Sequence, residues 1–139
     1  MAVIPNGVDL ARFQSLEQPA GEHSRDWNTI VVLAQLIPRK GIQHLLDAVA
    51  RLPAELRSRV RVRLCGVGPH EAALRAQAEA AGLGGQVAFA GLVAHDDVPG
   101  ELLRAGVAVL PSLQEGWPLS VLEAMAAGCA VVATTVATP

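Results

Sequence analysis

Glu115–Gly116–Trp117–Pro118–Leu119–Ser120–Val121–Leu122–Glu123–Ala124–Met125–Ala126–Ala127–Gly128 is the stretch on which the reading of the fold turns. The apolar run Val107–Leu110 before it reads as a strand, broken by Pro111 and Ser112. Pro118 stands where a helix begins, because proline at the first helical position gives up no N–H that the helix needs. Leu119, Leu122 and Ala126 recur at helical spacing with Val121 and Met125 beside them, which predicts a mostly buried helix. Gly128 stops it, and Ala130–Ala133 reads as the next strand.

Two acids break this apolar unit. Glu115 lies in the loop before the helix, and Glu123 lies on the helix on the side of Ser120. A carboxylate on so apolar a helix is costly unless something polar answers it. The free N–H groups of the helix start carry partial positive charge and point to the same region. A polar ligand accounts for both, with a phosphate on the amides and hydroxyl groups on the two glutamates. An exposed helix glutamate and an acid that decorates a helix start account for the same residues without a ligand.

The rest of the chain repeats the unit. Ile30–Ala34 is a strand without a polar face, as in a sheet covered on both sides. Ile37–Gly41 is a loop, and Ile42, Leu45, Leu46, Val49 and Leu52 mark a helix stopped before Pro53. Val60–Cys65 is a strand, Gly66–Pro69 a turn, and a helix over Pro69–Ala81 closes at Gly82. Gln86–Ala90 is a short strand, followed by a loop in which Asp96 or Asp97 caps a short helix ending near Gly106. Near the start, Asn6–Gly7 reverses the chain, and 10–28 reads as an irregular surface connection. Strand and helix alternate four times before a last strand. This predicts a three-layer α/β/α, Rossmann-like domain with a parallel sheet. Its ligands gather beyond the carboxyl ends of the strands, which brings Arg39 and Lys40 to the rim that holds Glu115.

Composition narrows the function. The 139 residues make one domain, half of them apolar, with a formal net charge of −2. Nothing in that charge points to nucleic acid or an anionic membrane. No run approaches the ~20 apolar residues of a membrane-spanning helix. Cys65 and Cys129 sit in or beside strand-like runs, so buried free thiols and a reducing, cytoplasmic compartment are expected. Gly66–Val67–Gly68 lacks the third glycine of a dinucleotide fingerprint, Glu71 standing in its place, and reads as a tight turn. His23 and His70 have no partners at metal-ligand spacing, His44 falls on the polar side of its helix, and His95 reads as a surface residue of a rim loop.

The ordered set Ile4–Asp9, Arg39–Lys40–Gly41, Gly66–Pro69, Gly91–Leu92–Val93, Leu110–Pro111–Ser112 and the Glu115/Glu123 pair resembles the donor-binding half of the family-four (group 1) retaining glycosyltransferases. Those enzymes have the GT-B fold, of which this chain would be one half. The resemblance implies a nucleotide diphosphate sugar as donor substrate, with no metal and no other cofactor. It implies Lys40 on the diphosphate beside Arg39, Gly68 in the donor-side turn, and the Leu119–Ser120 backbone on the distal phosphate behind Pro118. Glu115 and the Gly116–Trp117 backbone would meet the sugar, Glu123 the ribose, and the Leu92–Val93 backbone the base. Glu115 and Lys40 would be the residues at the reacting end. The family's Gly-Arg after the first strand is replaced by Ala34–Gln35, and the usual Gly-Gly is missing from Thr134–Pro139. The resemblance covers no acceptor domain, so residues 1–139 are expected to be a truncated donor domain, inactive alone. Its partners would be the donor, an N-terminal acceptor domain, a membrane surface touched peripherally by the parent enzyme, and a second copy through an exposed sheet edge. A non-catalytic nucleotide-sugar binding module and half of a GT-B sugar epimerase are the alternatives.

Overall fold

A computed structural model describes residues 7–14 and 25–136. The elements in order are α1 (Ala11–Gln14), β1 (Asp26–Leu33), α2 (Ile42–Ala50), α3 (Ala54–Arg59), β2 (Arg61–Cys65), α4 (Glu71–Ala80), β3 (Val87–Gly91), α5 (Val98–Arg104), β4 (Ala105–Leu110), α6 (Leu119–Ala126) and β5 (Ala130–Ala133). Single 3₁₀ turns at Pro38–Lys40 and His95–Asp97 precede α2 and α5.

The five strands form one sheet in the order β3-β2-β1-β4-β5, every pair parallel. Successive residues of a strand face opposite sides, so neighbours in β1 and β2 enter different cores. Val32 and Leu64 join Ile42, Leu45, Leu46 and Val49 of α2 and Leu74 and Ala78 of α4. Val31 and Cys65 join Leu102 of α5, Ala108 of β4 and Ala124 and Ala127 around α6. Each face of the sheet is thus covered by helices, and the predicted three-layer, Rossmann-like α/β architecture is the observed one.

Strand order puts the topological switch between β1 and β4. From β1 the chain winds outward to β2 and β3, then crosses back to β4 and on to β5. The connections that follow β1 and β4 therefore run to opposite faces of the sheet, and such a switch point is where open parallel sheets hold ligands.

Four expectations need correction. The stretch 10–28 is not wholly irregular: α1 forms a helical turn with Phe13 buried, and Asp26–Asn28 belong to β1. Residues 15–24 lie outside the described residues, as do Met1–Asn6 and with them the first part of the Ile4–Asp9 motif. Helix α3 fills the stretch between Pro53 and β2, because Pro53 opens a new helix as well as ending the region of α2. No carboxylate caps α5: Asp97 has helical backbone angles there and makes no side-chain cap hydrogen bond. Finally, α6 is less buried than its composition predicts. Only Ala124 of its residues is fully buried, while Leu119 and Met125 are exposed. As an outer-layer helix it turns one narrow face to the sheet, and small residues let it pack closely there.

Cys65 is buried, Cys129 half-buried, and both are free thiols, as expected. No helix among the described residues is long and apolar enough to cross a membrane. Strand β5 is an outer strand of the sheet, and its Val132 is exposed.

Candidate functional site

Backbone contacts at the carboxyl edge of the sheet hold the site loops together. After β1, the Leu36 N–H donates to the Val67 carbonyl at 3.0 Å, and the His70 N–H donates to the Leu36 carbonyl at 2.9 Å. The Gly66 N–H donates to the Gly91 carbonyl at 2.7 Å, which joins the loops after β2 and β3. Gly68 permits this close approach, since a Cβ there would lie 2.3 Å from the Leu36 carbonyl oxygen.

The β1 loop is clasped to the β4 loop across the switch point. The Leu113 N–H donates to the Arg39 carbonyl at 2.8 Å. Gly41, at φ +68°, lies so close to Pro111 that a Cβ would stand 1.8 Å from its carbonyl oxygen. This is why glycine follows Arg39–Lys40: both the left-handed backbone and the contact exclude a side chain. The Arg39–Lys40 turn is thereby fixed against Pro111–Leu113.

That clasp brings together the two residues predicted for the reacting end. The Lys40 Nζ donates to Glu115 Oε1 at 2.6 Å, and the Ser112 Oγ donates to the same oxygen at 2.6 Å. Ser112 is fully buried, and the side chains of Lys40 and Glu115 are 17% and 12% exposed. Burial pushes the Glu115 carboxyl up. The hydrogen bonds from Lys40 and Ser112 and the charges of Lys40 and Arg39 outweigh it, holding the carboxyl below its ordinary value of 4.5. Glu115 is therefore a carboxylate at neutral pH with a cation at its side.

The N-terminus of α6 opens beside this pair. Pro118 precedes the helix in extended conformation, and no side chain caps it. The Val121 N–H is bonded to the Pro118 carbonyl, so the N–H groups of Leu119 and Ser120 are the ones the helix itself leaves unpaired. Trp117 is exposed and Gly116 gives its backbone open space.

Glu123 belongs to a different cluster. Its carboxylate, 15% exposed, lies 4.0 Å from the Arg12 guanidinium. Arg12 also donates to the His95 carbonyl. Glu123 is thus tied through Arg12 to the loop that carries Leu92 and Val93, and not to Lys40. Leu92 and Val93 line two hollows. One, of about 260 Å³, is bounded by Leu33–Gln35, Cys65–Val67 and Val98. The other, of about 370 Å³, is polar and contains Arg63, Glu101, Asp96 and Asp97. Neither is lined by Glu115 or Glu123. Gln35 lies on the wall of the first.

Two members of the site escaped the sequence reading. Ser112 stood in a quoted motif, but nothing showed that its hydroxyl would meet Glu115 rather than solvent. Arg12 fell in a stretch read as irregular, and its contacts with Glu123 and His95 lie more than 80 residues away along the chain. Among the described residues no group of three or more His, Cys, Asp or Glu is placed to hold a metal ion.

The profile of the family described as glycosyl transferases group 1 matches residues 14–139. The phosphatidylinositol N-acetylglucosaminyltransferase gpi3 subunit of Schizosaccharomyces pombe is 33% identical over 136 residues, covering 98% of this chain and 29% of that protein. The structure of WaaG, a glycosyltransferase involved in lipopolysaccharide biosynthesis, superposes with a TM-score of 0.85 at 25% identity, over 97% of this chain and 38% of WaaG. Anabaena HepE, solved with UDP and glucose, gives a TM-score of 0.75 at 26% identity, over 94% of this chain and 37% of HepE. This chain spans about a third of the length of each of these relatives.

Proposed function

The chain belongs to the group 1 glycosyl transferases, and on that footing we propose that it is the donor-binding part of a retaining hexosyltransferase that uses a nucleotide diphosphate sugar. The observation that carries the reading is the Lys40–Glu115 pair, 2.6 Å apart at the β1/β4 switch point beside the uncapped start of α6. A cation and free helix amides suit a diphosphate. A fixed carboxylate next to them suits the hydroxyl groups of the sugar that the diphosphate carries.

In this reading Lys40, assisted by Arg39, draws the diphosphate toward the β1 loop, and the Leu119–Ser120 amides receive its distal phosphate. Gly68 keeps the β2 turn low enough for the donor to pass. Glu115 and the Gly116–Trp117 backbone hold the sugar, Glu123 the ribose, and the Leu92–Val93 backbone the base. During transfer the bond between the anomeric carbon and the diphosphate oxygen breaks, and a bond from the acceptor oxygen forms on the same face. The acceptor proton passes to the departing diphosphate. Negative charge grows on that leaving group, and the cation and helix amides stabilise it there more than in the ground state. No residue of this chain needs to exchange a proton, and no metal is required. The acceptor is held by a further domain, so the 139-residue chain binds donor and turns over little by itself.

The test is calorimetry with UDP, GDP and ADP on the chain and on Lys40→Ala. One diphosphate should bind, and Lys40→Ala should weaken it far more than the matching nucleoside. Equal weakening of both removes Lys40 from the phosphate role, and failure of all three diphosphates to bind removes the donor reading.

A further inference from the structure

We infer that Arg12 is a positioning residue of the donor site, orienting the Glu123 carboxylate toward the ligand and locking it to the loop after β3. The inference rests on the ribose role proposed for Glu123.

Three observations carry it. First, the Glu123 side chain is only 15% exposed, and its charged partner among the described residues is the Arg12 guanidinium at 4.0 Å. That distance is an ion pair and not a hydrogen bond, and no side-chain or backbone donor among the described residues hydrogen-bonds this carboxylate. A carboxylate so enclosed is left with its acceptor capacity open toward a ligand. Arg12 fixes its direction by charge without consuming that capacity.

Second, Arg12 reaches the base side of the proposed site. Its other terminal nitrogen donates to the His95 carbonyl, in the loop that begins with Leu92 and Val93. One planar guanidinium therefore spans α6 and the β3 loop, a fork that lysine cannot reproduce. Ribose and base are covalently joined, so the groups that receive them need a fixed separation, and Arg12 supplies it.

Third, Arg12 is itself anchored. Phe13 beside it is buried in the α5/α6 core. The Ala11 N–H donates to Asp9 Oδ1 at 3.0 Å, and the Phe13 and Gln14 N–H groups donate to the Leu10 carbonyl at 3.0 and 3.1 Å. A four-residue helical turn that ordinary propensity would leave frayed is fixed at its start by Asp9 and Leu10 and pinned to the core by Phe13. The guanidinium is thus delivered by a rigid support.

The experiment compares binding of whichever of UDP, GDP and ADP binds tightest with its 2′,3′-dideoxy counterpart. The ratio of the two dissociation constants measures how much the ribose hydroxyls contribute. The parent chain should prefer the ribonucleotide by roughly tenfold or more, the effect of hydrogen bonds to a charged group. Glu123→Ala should abolish the preference. Arg12→Ala and Arg12→Gln should remove most of it, while Arg12→Lys, which keeps the charge but not the fork, should retain part. A merely structural arginine would lower the melting temperature and leave the ratio alone. If Arg12→Ala does not fold, Arg12→Gln decides on the same ratio. A parent-like preference in the folded Arg12 variants, with the preference lost in Glu123→Ala, overturns the role of Arg12 and leaves that of Glu123 standing. A parent-like preference in Glu123→Ala, or no binding of any of the three diphosphates, overturns both.

Discussion

Separating Lys40 from Glu115 tests whether the clasp at the switch point is a working ion pair. The charges are 2.6 Å apart, and their side chains are 17% and 12% exposed. With an effective dielectric near 20, the gross attraction is on the order of 6 kcal/mol. Most of that is offset by the hydration both groups lose. Exposed pairs retain about 0.2–1 kcal/mol, and removing one partner of a fully buried pair costs about 3–5. This pair lies between, so a double-mutant cycle of Lys40→Met and Glu115→Gln should give a coupling of about 1–2 kcal/mol at pH 7. Urea unfolding of the four proteins measures it. The pH dependence has a definite sign. Glu115 titrates below its ordinary 4.5 in the folded chain, so the unfolded chain takes up the proton first. The stabilisation is complete well above that value and is lost as pH falls through the lower, folded one. The coupling should therefore be constant from pH 6 to 8 and shrink at acid pH. A coupling below about 0.3 kcal/mol at neutral pH, or one that survives unchanged at low pH, would refute the reasoning.

Other outcomes follow from the same geometry. Gly41→Ala puts a methyl group against the Pro111 carbonyl at a φ of +68° and should cost about 2 kcal/mol or more, read as a lower urea midpoint; an unchanged midpoint would mean the clasp yields freely. Ser112→Ala removes a fully buried donor to Glu115 and should cost about 1–2 kcal/mol. It should also move the acid-induced loss of stability to higher pH, since Glu115 loses a group that favours its charged form. Arg63→Met strips Glu101 of a two-nitrogen partner; with Arg63 41% exposed, a loss of about 1 kcal/mol is expected. Burial, followed by the charge of Glu101, pushes the Cys65 thiol up to about 11. A thiol reagent at pH 8 should therefore modify Cys65 only as fast as the chain unfolds, which mass spectrometry over time can follow.

The sequence determined the framework of this protein because its signals are local. Apolar runs of four to six residues between glycine and proline breaks placed the five strands, and β5 matches the expected Ala130–Ala133 to the residue. Alternation of strand and helix then allowed little besides a parallel sheet covered on both faces. Arg39–Lys40–Gly41 and Glu115 could be assigned to one rim because parallel strands send all their following loops to the same edge. Distances across that rim were another matter. Tertiary packing alone decided that Arg39 and Leu113 bond through their backbones, that Ser112 turns its hydroxyl to Glu115, and that Glu123 meets Arg12 instead of the Lys40 cluster. Those contacts join residues up to 111 apart in the chain, where no periodicity or turn chemistry reaches. How deeply α6 sinks into the sheet was likewise settled by the packing of neighbouring layers, which composition does not encode. Secondary structure follows from interactions within a few residues, whereas a binding site is made where distant segments are pressed together, and only the folded chain fixes which segments those are.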